Sequence, residues 1–259
     1  MKRKRTGTKM RRGIYILPNL FTTGNLMAGF WSIISVLQDQ YHFAALAILA
    51  AAVFDFFDGK VAKLSGATSK FGMQYDSLAD IVSFGIAPAL LAFGWALRPY
   101  GEWGWLAAFT FVACGGIRLA RFNVLASSGD TKYFKGLPIP VAAAMVAFTI
   151  LLYIKYIETA WAKDIIVLVM VYVLAFLMVS NIRYYTFKEL DLAKRKPLST
   201  LVCAVLALTV IVMRPTIMLF LLVLLYVFSG PAGMLIASHK KRALSGNEPL
   251  PQEDRVIRG

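Results

Sequence analysis

Acidic side chains are few in this chain: 14 Asp and Glu stand against 28 Lys and Arg, and charged residues of both signs make up only 16%. Soluble domains carry about a quarter charged residues, so an ordinary water-facing surface is excluded. Cysteine and histidine are fewer still, two of each. Cys114 and Cys203 fall within apolar runs, and neither they nor His42 and His239 have a partner at ligand spacing. That excludes a disulfide framework, a thiol redox pair and a Cys/His zinc site. A Gly-rich phosphate loop of the P-loop type is missing, which argues against an ATPase. An inverted repeat between the two halves is missing too, which argues against a transporter built on one.

Apolar residues fill the space left by these absences, at 58% of 259 residues and a mean hydropathy of +0.64. A bilayer core needs roughly 20 apolar residues per helix. Eight such segments can be laid along the chain, at about 14–37, 42–63, 73–96, 103–122, 138–156, 161–182, 198–213 and 216–237. The expected fold is an all-α polytopic membrane protein with about eight transmembrane helices in one domain, 14–242. A basic tail (1–13) precedes it and a polar, Pro-containing tail (243–259) follows. The first segment is long, broken by polar residues and without a small-residue cleavage site, so it reads as a span and not as a signal peptide.

The formal net charge of +14 invites a nucleic-acid reading, and the placement of the cations decides against it. With the amino terminus in the cytoplasm, only Arg98, Lys155, Lys163 and Arg214 of the 28 Lys and Arg fall on the opposite side. This positive-inside bias sets both termini in the cytoplasm. No aromatic-interleaved basic surface accompanies the tail, so no nucleic-acid partner is expected; anionic lipid headgroups are a better match.

Against this background one stretch stands out, Asp55 to Asp80, DFFDGKVAKLSGATSKFGMQYDSLAD, with four aspartates. Asp55, Asp58, Gly59, Ala62 and Lys63 share one face of a helix, and Gly72, Asp76 and Asp80 follow at a spacing of four on the next. An aspartate at a helix centre costs about 2.5–3.5 kcal/mol on insertion scales, so four left unpaired in lipid would cost on the order of 10 kcal/mol. Cations or water are required. Two carboxylate-bearing faces can meet around a pair of divalent ions, which suit displacement at phosphorus, and oxygen-only ligation points to Mg2+ or Mn2+. Gly59 and Ala62 would leave a groove beside Asp58, and Lys63 would face phosphate. The competing reading is an ion or proton pathway, which leaves Gly59, Ala62 and Gly72 without a purpose.

Two further groups of polar residues flank this stretch. Asn19, Thr22, Asn25 and Gly29 lie along the first segment, where either close helix packing or a polar ligand accounts for them. Arg118 and Arg121 are one turn apart at the end of the fourth segment, followed by Asn123 and the run GLPIP, Gly136 to Pro140. Such arginines anchor topology by snorkelling, or grip a small carboxylate or phosphate with paired hydrogen bonds.

The series Asp55-x2-Asp58-Gly59-x2-Ala62-Lys63-x8-Gly72-x3-Asp76-x3-Asp80 resembles the signature of the CDP-alcohol phosphotransferases. Lys63 departs from it, since the family pattern has arginine there; the charge is kept and the two-pronged phosphate contact is not. LPNLFTTGN, DSLADIVSFGIAPA, RLARFN and YFKGLPIP extend the resemblance to the serine-accepting branch over about the first 140 residues. The resemblance implies CDP-diacylglycerol as donor, L-serine as acceptor, and a homodimer in the cell (inner) membrane with its active site open to the cytoplasm. It also implies two divalent cations held by Asp55, Asp58, Asp76 and Asp80, with Asp80 also the general base. Gly59, Lys63, Ser69 and Gly72 match donor-contacting positions, and Ala62 a position that must stay small for the cytidine. Asn19, Thr22 and Asn25 are added to the donor side. Arg118, Arg121, Asn123, Gly136 and Pro138 are assigned to serine or phosphate recognition. Within the family, glycerol 3-phosphate or an inositol phosphate is the alternative acceptor.

Overall fold

The computed structural model describes residues 16–65, 69–127, 134–156, 163–184 and 213–245. Seven of the eight expected segments coincide with helices. The segment at 198–213 lies, but for its last residue, outside the described residues, as do both tails except that the final helix runs to Ser245. Among the described residues, five helices are long and apolar enough to cross a membrane, and a further apolar one is slightly short.

Helix α1 (Ile16–Leu37) and helix α2 (Tyr41–Ser65) form a tight hairpin. Ala44, Ala45, Ile48 and Ala51 are buried on α2, and side chains this small let the backbones approach until Ser32 Oγ donates to the Ala44 carbonyl at 2.9 Å. The large apolar residues of α1 point the other way: Met27 is 71% exposed, with Phe30 and Trp31 beside it. An outward apolar face and an inward face of small and polar residues is the pattern expected of a bundle in lipid.

Helix α3 runs from Lys70 to Tyr100. Ser69 caps its start, accepting from the Gly72 N–H at 2.9 Å, which satisfies one of the otherwise orphaned amides of the first turn. Asp80 ends the first α-helical stretch, and the backbone then widens into π-helical turns at Ile81–Ile86 and Phe93–Leu97. Pro88 lies between these turns; it has no N–H to donate, so a regular ladder cannot run through it. After the turn at Gly101, helix α4 (Glu102–Ser127) returns.

Helix α5 (Ile139–Tyr156) is the central element, buried at ten positions from Ile139 to Leu151. Helix α6 (Lys163–Val179) packs on α4, and helix α7 (Pro215–Ser245) lies against α5. Among the described residues the one regular element other than helix is a short antiparallel pair, β1 (Phe134–Lys135) with β2 (Arg183–Tyr184). It ties the loop before α5 to the segment after α6, helped by Gly136 N–H to Ile182 O at 2.9 Å and Leu137 N–H to Leu177 O at 3.0 Å.

Helices α1 to α6 alternate in direction and α7 runs the same way as α6, so Arg98, Lys155, Lys163 and Arg214 fall at one end of the bundle and the four aspartates and both arginines of α4 toward the other. At the former end Arg98 sits 4.0 Å from Asp39, and Arg214 and Lys155 lie over the Tyr156 ring.

Gly136 adopts φ +87°, and a Cβ there would lie 3.2 Å from the Ser180 carbonyl oxygen and closer still to that of Met178. Gly136→Ala therefore combines backbone strain with a clash against immovable carbonyls, on the order of 1–3 kcal/mol. We expect a lowered thermal unfolding midpoint in detergent; a midpoint equal to wild type would show that the turn readjusts freely.

Candidate functional site

The spacing that puts Asp55 and Asp58 on one face of α2, and Asp76 and Asp80 on one face of α3, is realised as two helices presenting carboxylates to each other. Asp55, Asp76 and Asp80 each offer an oxygen within 4.8 Å of the others. Like charges so close and so little solvated repel strongly. Asp76 Oδ1 is buried without a hydrogen-bond partner. Three converging carboxylates, one with an orphaned buried oxygen, suit a hard divalent cation that takes oxygen ligands.

Asp58 is buried near this trio and close enough to interact electrostatically with Asp76 and Asp55. Its Oδ2 accepts from Thr22 Oγ1 at 3.2 Å. Asp80 receives a matching bond, from Asn25 Nδ2 to its Oδ1 at 3.1 Å. Both donors come from α1, one turn apart, so the polar face of the first helix is turned to the carboxylates.

The two arginines of α4 separate. Arg118 is only 9% exposed, its Nε has no partner, and its charge acts on Asp80 and Asp55. Arg121 instead donates to Asn181 Oδ1 at 2.7 Å, beyond the end of α6. Asn123 donates to Ser77 Oγ at 2.9 Å, a contact that holds α4 against α3 next to Asp76. Gly136 belongs to the turn already described, and Pro138 opens α5, its carbonyl accepting from Val141 and Ala142.

On the donor side, Gly59 has open space where a side chain would go, with nothing within 4 Å of an added Cβ. Ala62 is half-buried one turn further on. Gly72 is different: an added Cβ would lie 3.1 Å from Ser69 Oγ and 3.4 Å from Asn19 Oδ1. Its smallness makes room for the cap and for Asn19. The Ser69 hydroxyl is occupied as that cap. The side chain of Lys63 lies outside the described residues.

Three residues of this region were not singled out from the sequence. Ser77 receives Asn123. Tyr226 of α7, half-buried and packed at a tilt against Tyr184 with ring centroids 5.6 Å apart, interacts electrostatically with Arg118. Ser83, wholly buried, donates to the Asn25 carbonyl at 2.9 Å. A lone hydroxyl in the apolar run after Asp80 was the only signal for Ser83, and nothing marked Tyr226 among the aromatics of a lipid-facing helix.

A polytopic helical bundle with a converging carboxylate cluster, a buried arginine at its side and a small-residue opening defines a membrane protein with an acidic group able to hold a metal near one end. The family description "CDP-alcohol phosphatidyltransferase" matches residues 15–170, and the chain belongs to that family. Similar curated proteins include the CDP-diacylglycerol–serine O-phosphatidyltransferases of Helicobacter pylori strain 26695 and Bacillus subtilis strain 168. The first is 36% identical over 217 residues, 84% of this chain and 90% of the relative. The second is 36% identical over 173 residues, 67% of this chain and 92% of the relative. The enzyme of that name from Saccharomyces cerevisiae is 40% identical over 151 residues, 53% of this chain and 54% of the relative.

Loss of a residue that merely orients a metal ligand already costs about 10–100-fold in metal affinity. Asp55→Asn and Asp76→Asn should therefore weaken Mn2+ binding by at least about tenfold, read by electron paramagnetic resonance of the free ion. Asp58→Asn should weaken it less. Equal effects of the three variants would mean that Asp58 joins the trio when the ion binds.

Proposed function

We propose that this protein transfers the phosphatidyl group of CDP-diacylglycerol to the hydroxyl of L-serine, forming phosphatidylserine and CMP, in the cell (inner) membrane with its site open to the cytoplasm. The observation that carries the reading is the trio Asp55, Asp76 and Asp80 beside Arg118 and the open face of Gly59. The names of the similar proteins supply the donor and acceptor. Both arginines and the aspartates lie at the end of the bundle that the charge bias turns to the cytoplasm.

Asp55, Asp76 and Asp80, with Asp58 beside them, would hold two divalent cations, Mg2+ or Mn2+. Such ions, when bound, neutralise phosphate oxygens and the charge that develops on a departing phosphate. The protein's own residues do the rest. The opening at Gly59, kept narrow-walled by Ala62, admits the cytidine close to the α2 backbone. Lys63 is the residue we assign to the donor phosphates, as a point charge. Asp80 takes the proton of the serine hydroxyl as its oxygen bonds to the phosphorus bearing diacylglycerol. The bond from that phosphorus to CMP breaks, and CMP leaves with the electron pair. Arg118, the one arginine of α4 whose charge acts on the carboxylates, balances the serine carboxylate or a phosphate. Arg121 is engaged by Asn181 and belongs to the scaffold of this site. A homodimer is the assembly we expect.

The decisive assay supplies purified protein with CDP-diacylglycerol, Mg2+ or Mn2+ and, in separate reactions, serine, glycerol 3-phosphate and inositol phosphate. CMP release with serine alone is the expected outcome; release with another acceptor would reassign the branch. Asp80→Asn should reduce turnover by at least about 100-fold, the lower end of a general base's usual contribution, while leaving donor binding in place. Arg118→Ala should raise the serine concentration needed for half-maximal rate, and Arg121→Ala should not. The opposite order for the two arginines would overturn their separation.

A further inference from the structure

Helix α1 turns Thr22 and Asn25 to the carboxylates, and neither has room for a ligand. Thr22 is 3% exposed, and Asn25 is wholly buried. A side chain without accessible surface has no space for a substrate atom against it, so Asn25 acts only through what it touches. What it touches is Asp80, by the Nδ2 to Oδ1 bond of 3.1 Å. Its own Oδ1 is buried and has no partner. A buried amide with one end unpaired is costly, and an apolar residue of the same shape would avoid that cost. The single thing asparagine supplies here that leucine would not is a directed N–H···O bond to Asp80.

The asparagine is itself held. Ser83, three residues after Asp80 and within the π turn Ile81–Ile86, donates to the Asn25 carbonyl at 2.9 Å, and this bond too is buried. The approach depends on Gly29: a Cβ there would lie 2.6 Å from Ser83 Cα. Asp80, Asn25 and Ser83 thus form a closed loop from α3 to α1 and back, set by two hydrogen bonds and one backbone contact. Wide turns of this kind recur at functional sites.

We propose that Asn25, braced by Ser83, is a positioning residue for Asp80. It occupies Oδ1 and fixes the carboxylate plane, so that the second oxygen is the one presented to the cluster. Thr22 stands in the same relation to Asp58. The polar face of α1 is on this reading a backing layer behind the carboxylates, with no contact to the donor. The proposal rests on the proposed function for the chemistry of Asp80, and on the hydrogen bonds alone for its orientation.

The test uses the full chain in detergent with Asn25→Leu and Ser83→Ala. Asn25→Leu should raise the Mn2+ dissociation constant by about tenfold or more, with an unchanged or higher unfolding midpoint in the absence of metal. Turnover should fall while the KM for CDP-diacylglycerol stays at its wild-type value. Ser83→Ala removes one hydroxyl and should shift Mn2+ affinity in the same direction by less; it decides the matter if the leucine variant does not fold. Unchanged Mn2+ affinity in both variants overturns the proposal. With a raised donor KM that result would make Asn25 a donor contact, and without one it would leave only packing. If wild-type protein releases no CMP with any acceptor while the Mn2+ shifts occur, the proposed function fails and the positioning role stands.

Discussion

Carboxylates brought together among apolar helices lose the water that screens them, and their mutual repulsion grows as the surroundings dry. Asp55, Asp58, Asp76 and Asp80 place this protein under that constraint. The fold answers it with donors from outside the two helices that carry the acids. Thr22 and Asn25 come from α1, and Arg118 lends its charge from α4. These partners do not match four carboxylates, and Asp76 keeps an orphaned buried oxygen within an acidic group able to hold a metal.

The same constraint explains how the bundle is divided. The core behind the site is alanine-rich, with Ala44, Ala45, Ala87, Ala89, Ala92, Ala142 and Ala143 buried, whereas bulky residues such as Met27, Phe30 and Trp31 face outward. In lipid, burying large apolar side chains between helices brings no hydrophobic gain, while close backbone approach brings van der Waals contact and short hydrogen bonds. Helices that can come near each other hold polar partners at fixed distances. The approach of Ser83 to Gly29 and of Ser32 to the Ala44 carbonyl are two instances at different depths.

Much of the site was legible in the chain because helical periodicity converts spacing into faces. Asp55 with Asp58, and Asp76 with Asp80, had to share faces once their segments were helical, and their places at the end of one segment and the start of the next put both pairs at one end. The arginines show where this ends. Arg118 and Arg121 are three residues apart in a basic, polar helix end and carry the same chemistry, so nothing local separates them. Their different partners, Asp80 for one and Asn181 for the other, lie 38 and 60 residues away in the chain. Gly136 is among the residues that the resemblance assigns to serine or phosphate recognition, and its positive φ and the short β pair beside it give it a backbone reason to be glycine as well.

From the sequence alone follow the membrane class, the helical character of the segments and the pairing of acids by face. Each of these depends only on composition or on residues a turn or two apart. Tertiary structure decided which acids converge, which arginine attends them, and that Asn25 is sealed behind Asp80 instead of lining an opening. Those outcomes depend on how α1, α3 and α4 cross, and crossing is set by the small residues at which backbones meet. A glycine in the sequence marks only a permitted approach; the partner that makes use of it is chosen by the fold.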